Sequence, residues 1–355
     1  MRKILIKNAR VFDGCTFFDS DVLVDKCKIV KIEKGIECEC DYSFDAKGKT
    51  LCAGLVDIHA HIEGISVESF GIHAEMSCIP FGVTAANDAS ACFGTRELFD
   101  SHSLKLTAFV MPEVTENGVN FKSSEKMLGV LGDKAIGVKV FFDTSDPNIK
   151  NGEPLQEICE FAHKRGLKVM VHTSNSPIPM GEIVDLLSAG DIITHAFHGG
   201  KNNSSLDGYS CLIKAKQKGI VVDVGFAGFV HTDFAVLEGA IKAGVLPDTV
   251  STDITKASAY MRGGRYGMTM CMSIAKELGM CEADIYKAVT VTPASVLGKQ
   301  NEWACLKVGA NADLAVFDFA EQPYSLTDRQ GNTVCSDKGY RCVLTMVNGQ
   351  ILYKD

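Results

Sequence analysis

Two rhythms of hydrophobic and polar positions divide the chain. Residues 1 to about 52 hold short alternating runs, Lys3–Asn8, Asp21–Val24 and Ile29–Ile32, then a polar turn at Asp45–Lys49, the period-two signature of a small β unit. From Leu55 to about Leu297 the pattern becomes short apolar runs separated by amphipathic segments of helical period, which is a β/α series. The predicted strands are Val56–Ile62, Val83–Asp88, Leu106–Pro112, Gly137–Phe142, Lys168–Thr173, Ile192–Phe197, Ile220–Gly225 and Val250–Ile254. Predicted helices between them include Leu155–Arg165, Gly181–Ser188, Leu206–Lys218 and Phe234–Ala243, each with an apolar stripe. Gly166 and Gly219 stand just before the next strand, where a left-handed residue closes a helix. After Trp303 strand character returns at Ala312–Phe317, Tyr340–Val347 and Gln350–Tyr353, with a tight turn at Asn348-Gly349. The expected class is α/β: a (β/α)8 TIM barrel over residues 53–303, with a small discontinuous β-sandwich domain joined from residues 1–52 and 304–355.

Composition narrows the partners. With 355 residues, 46% of them hydrophobic, the chain can bury a large core. A net charge of -8 without any Lys/Arg run excludes a nucleic-acid footprint; Arg262-Gly263-Gly264-Arg265 is one short loop rather than a repeated tract. No apolar stretch reaches the length of a membrane span, so a small-molecule partner is expected. The chain opens as Met1-Arg2-Lys3-Ile4-Leu5-Ile6 without secretory features, so its fourteen cysteines are expected as reduced thiols in a cytoplasm. Cys38-Glu39-Cys40, the only close pair, reads as an alternating edge strand, with metal binding the lesser alternative. A homo-oligomer is expected.

Candidate chemistry lies at the C-terminal ends of the predicted strands, where barrels of this kind place their functional residues. Asp57, His59 and His61 alternate on one face of the first strand, and two imidazoles on one rigid strand can hold a divalent metal. Lys139 ends the fourth strand, His172 the fifth, His195 the sixth and Asp253 the eighth. Each has a plain structural reading when taken alone. The histidines could be core rings bonded to backbone carbonyls, and Asp253 could be a helix cap. Their common register favours one site, because a polar ring inside Val169-Met170-Val171-His172 or Ile192-Ile193-Thr194-His195 needs a partner. An ammonium cannot bind a cation, so Lys139 joins such a set only as a carbamate formed with carbon dioxide; the alternative is an ordinary buried ion pair.

The set Gly54-Leu55-Val56-Asp57-Ile58-His59-Ala60-His61, Lys139, His172, His195 and Asp253 resembles the metal-dependent amidohydrolase superfamily over essentially the whole chain. Lys7–Gly14, Lys307–Val316 and Val347-Asn348-Gly349 resemble its small β domain. Ile193–Gly199 and Val250–Ile254 are most similar to a dihydroorotase-related branch that hydrolyses acyl groups from small acids, deacetylase-like. The resemblance implies two divalent metal ions, expected to be zinc. His59, His61 and Asp253 would hold the more buried one, His172 and His195 the more exposed one, and carboxylated Lys139 would bridge them. A hydroxide between the metals would be the nucleophile, Asp253 would be the catalytic acid and base, and the exposed metal would stabilise the oxyanion. Glu63 stands where dihydroorotases have an arginine two residues after the second histidine, which disfavours that activity. Ala53 replaces the usual proline without touching a catalytic role.

For substrate binding, Tyr260, Arg262 and Arg265 in the glycine-rich loop after strand eight could clamp a carboxylate, or be a solvated loop. His198, Lys201, Asn202 and Asn203 after strand six, and Ser174, Asn175 and Ser176 after strand five, are further polar candidates. Phe226, Phe229 and His231 would form an apolar wall or simply close the core. The reaction expected is hydrolysis of an amide or ester bond in a small acylated acid, such as an N-acyl amino acid, and not of peptide backbone. The alternatives are a cyclic amidohydrolase of dihydroorotase or hydantoinase type, a nucleobase deaminase, and a metal-free scaffold.

Overall fold

The computed structural model describes residues 3–67, 69–261 and 263–355. A parallel sheet of seven strands forms the barrel wall: Leu55–Ala60, Val83–Ala91, Lys105–Val110, Ala135–Phe141, Lys168–His172, Ile192–Thr194 and Val221–Val222, in that order across the sheet. Buried apolar residues on both faces account for the near-continuous hydrophobic runs, as expected of a parallel sheet flanked by helices.

The eighth predicted strand is not a regular strand. Residues 249–254 close the barrel as an irregular segment that bonds to both edges: Val224 N–H donates to Thr249 O at 3.2 Å, Asp253 N–H to His59 O at 2.7 Å, and His61 N–H to Ile254 O at 3.1 Å. Two features break its extended run. Thr252 spends its N–H and hydroxyl on the Asp57 carboxylate, at 3.2 and 2.5 Å, and Asp253 has a left-handed backbone (φ 47°). Asp57 is therefore the residue that ties the first strand to the closing segment.

Both ends of the chain meet in one eight-stranded sheet. Its order is Gln350–Lys354, Thr333–Val347, Leu314–Thr327, Thr50–Ala53, Lys3–Phe12, Phe17–Asp25 and Lys28–Glu33, with Tyr42–Asp45 also paired to Lys3–Phe12. The pairing Leu314↔Ala53 joins the two ends, and a core of Ile4, Val11, Val22, Leu51, Leu314 and Met346 holds them. Arg10 anchors this sheet to the barrel helix Glu282–Val289 through both Glu282 oxygens at 2.9 Å.

Local differences from the sequence reading have local causes. Gly208 and Tyr209 are left-handed, so the expected helix 206–218 is a 3-10 turn, Ser204–Asp207, followed by the α-helix Ser210–Gln217. Cys38-Glu39-Cys40 is irregular rather than an edge strand, because strand pairing ends at Glu33. Among the described residues no two cysteines are bonded, and no helix is long and apolar enough to cross a membrane. Gly166 (φ 69°) and Gly219 (φ 76°) do end their helices left-handed.

Gly137, two residues before Lys139, shows how tightly the wall is packed. A Cβ there would lie 2.0 Å from the Phe109 ring and 2.7 Å from Lys168 O. Gly137→Ala is expected to destabilise the fold by about 1–3 kcal/mol through overpacking, read as a lower urea midpoint at unchanged slope. An unaltered midpoint would show that Phe109 can yield.

Candidate metal centre

The strand ends gather His59, His61, Lys139, His172, His195 and Asp253 around one cavity of about 770 Å³. Two sets of donors form within it. The candidate ligand atoms of His59, His61 and Asp253 all lie within 4.8 Å of one another, and so do those of His172, His195 and His231. The sets adjoin, with the His59 and His195 rings 5.2 Å apart and Asp253 Oδ2 3.7 Å from His195 Nε2.

Buried partners orient the rings. Thr194 gives its hydroxyl proton to Asp223 Oδ2 at 2.7 Å, so its oxygen accepts from His59 Nδ1 at 2.9 Å and the His59 Nε2 lone pair faces the cavity. His195 Nδ1 donates to Gly225 O at 2.7 Å, with the same result. His61 Nδ1 meets Ser66 and Ser90 hydroxyls at 2.7 and 2.9 Å. A ring nitrogen held from behind while its partner nitrogen points inward is the usual support of a metal-binding histidine.

The charges around the donors fit a cation. Burial pushes the His59 ring down to about 3, the His172 ring down to about 3 and the His195 ring well below the usual imidazole range, so all three are neutral. Burial works against the Asp253 carboxylate, but the His59 and His61 rings outweigh it and hold it well below the usual carboxylate range. Asp253 Oδ1 stands 3.1 Å from His59 Nε2 and 2.9 Å from His61 Nε2. His172 Nε2 is buried and makes no hydrogen bond, although Asp143 Oδ2 is 3.3 Å away. A buried imidazole nitrogen left without a partner on this cavity is the kind of group a divalent cation satisfies.

Lys139 lies against the first set, its Nζ 3.1 Å from His59 Nε2. Burial lowers it to about 8 against the opposing pull of Asp253, Asp223 and Asp88.

The polar residues singled out for substrate contact that the structure describes do not line the cavity. Tyr260 and Arg265 are exposed and do not line the cavity, and Arg262 lies outside the described residues. His198 is buried, with Nδ1 accepting from Gly200 N–H at 3.1 Å; Asn175 is exposed and donates to Asp143 Oδ2 at 3.1 Å. Neither lines the cavity. Glu63 pairs with Lys256 at 3.6 Å, also off the wall. Phe226 and Phe229 are core, whereas His231 faces the site. Among the described wall residues the rest is mainly apolar, including Val67, Phe70, Met111, Val114 and Phe141, with Glu113 and Asp146 as added acids.

Sequence reasoning missed His231 as a candidate donor and Asp223 as an orienting group. Asp223 had a visible signal, a carboxylate within Val221-Val222-Asp223-Val224. Burial raises it to about 6, and it is held by the Thr249, Ser251 and Thr194 hydroxyls.

Known proteins bear on this geometry. A deacetylase from Enterococcus faecalis is 25% identical over 98% of this chain and 98% of its own length. A crystal structure of a dihydroorotase superposes with a TM-score of 0.86 at 22% identity, covering 100% of this chain and 98% of that one. An adenine deaminase structure gives 0.86 at 23% identity over 99% of each. At that identity these structures establish the shared barrel fold and no more. Residues 50–352 match the amidohydrolase family, and with that match spanning most of the chain and its candidate donors, the protein belongs to the amidohydrolase family.

Proposed function

We propose that the protein is a metal-dependent, deacetylase-like hydrolase that cleaves an amide or ester bond in a small acylated acid. The observation that carries this reading is the convergence of two sets of three candidate donors, and of Lys139, on one cavity at the barrel mouth. In it, His59, His61 and Asp253 would hold one divalent cation, expected to be zinc, His172 and His195 would hold a second, and Lys139 would contribute to both as its carbamate. Full-length similarity to a protein named deacetylase supports the acyl-hydrolase class. The fourteen unpaired thiols suit a reducing cytoplasm.

Two such cations, when bound, supply Lewis acidity that acidifies water and polarises a carbonyl. The chain's own groups do the rest. Asp253, held ionised, accepts the proton released as water adds to the carbonyl and returns it to the leaving nitrogen or oxygen. Its Oδ1 is engaged by His59 and His61, so Oδ2 is the oxygen assigned to the proton. Lys139, brought to about 8, has far more uncharged amine at neutral pH than a surface lysine. The ammonium loses one proton to give that amine, which adds to carbon dioxide with loss of a second, so that a cation becomes the anionic carbamate. The apolar wall suits the acyl group or a side chain of the substrate.

The test is a screen of zinc-reconstituted protein against N-acyl amino acids, acyl esters of hydroxy acids, cyclic amides and aminopurines. Acid release from an acylated acid, lost on chelation and regained with zinc, is the expected result. Ammonia release from an aminopurine, or turnover confined to cyclic amides, would overturn it.

A further inference from the structure

We propose that His231 is a third imidazole ligand of the second cation, completing a His172–His195–His231 set; this rests on the two-cation reading above. The candidate ligand atoms of the three residues all lie within 4.8 Å of one another. The His231 ring centroid is 4.4 Å from that of His195 and 4.9 Å from that of His172. The other two members already point at this space: His195 has its Nδ1 committed to Gly225 O, and His172 Nε2 is buried without a hydrogen bond.

The backbone is bent to deliver the ring. His231 follows the seventh strand by way of Ala227 (φ 50°), Gly228 (φ 64°) and Phe229 (φ 74°). Left-handed Ala and Phe are each costly, and such strain persists only where the surroundings impose it. Here they do. Phe229 is buried among Phe226, Phe234 and Tyr266, with ring centroids 5.4 to 5.7 Å away, and Ala227 N–H donates to Thr252 O at 2.9 Å, next to Asp253. The loop is thus clamped to the core and to the closing segment while His231 remains partly exposed on the cavity wall. Three neutral nitrogens, two from strand ends and one from a loop, form a set that holds zinc and leaves a position open. The sequence gives no direct sign of this, because His231 sits beyond a strand end in no recognisable register.

Apo-protein titrated with zinc and with cobalt, followed by calorimetry and by the cobalt absorption spectrum, tests the assignment without any turnover. Wild type should take up two equivalents. In His231→Ala one equivalent should weaken by more than about 100-fold, beyond the range for losing a partner that merely supports a ligand, and the cobalt spectrum should change. His231→Asp, which restores a ligand atom, should recover most of the affinity, and it carries the comparison if the alanine variant does not fold. Two equivalents bound with unchanged affinity and spectrum in His231→Ala would overturn the assignment alone. No uptake by wild type would overturn the two-cation reading along with it.

Discussion

Replacing Asp253 by asparagine is expected to lower kcat by about 10²- to 10⁴-fold, the range associated with a positioned general acid or base, while the protein stays folded and retains metal. The substitution is nearly isosteric and keeps an oxygen where Oδ1 meets His59 and His61. The backbone accepts it as well, since φ at Asp253 is 47° and asparagine is among the residues that tolerate this region best. What disappears is the negative charge that can take a proton. Metal analysis beside steady-state kinetics separates the outcomes. A metal-replete variant with wild-type turnover would remove Asp253 from proton transfer, and a metal-free one would show that its first duty is ligation.

Lys139→Ala should strip at least one equivalent of metal and reduce kcat/KM by about 10²-fold or more, the equivalent of several kcal/mol of lost electrostatic stabilisation. The residue is buried beside His59, and no other lysine lines the described cavity wall. The fold should not suffer greatly, because removing a buried ammonium relieves its desolvation cost. Acetate or propionate added to the variant should restore part of both metal content and rate by placing a carboxylate where the carbamate stood. Two metals and an undiminished rate in the variant would dismiss the bridging role.

Asp253 was marked by its position at the end of an apolar run, yet the expected regular strand around it is an irregular closure. A pattern of alternating residues cannot reveal that Thr252 bonds Asp57 across the barrel, because that bond joins residues 195 apart in sequence. Tyr260 and Arg265 were attractive as polar side chains on a glycine-rich loop near a strand end. Chemistry of that kind says what a residue can do and not where its side chain ends up: Ala257, Ser258 and Met261 of this segment line the cavity, while Tyr260 and Arg265 are exposed and off its wall.

By itself the sequence determined the β/α rhythm and the β-rich ends, and it marked His59, His61, Lys139, His172, His195 and Asp253 as residues of one site. Those features are local: hydrophobic period sets an element, and a polar ring inside an apolar run announces that it needs a partner. Only the tertiary structure decided which donors share a set, brought in His231, placed Asp223 behind His59 through Thr194, and lined the cavity with apolar side chains. Each of these depends on loop paths and on hydrogen bonds between distant segments. Their energies are balanced over the whole packed molecule, so no stretch of sequence contains them.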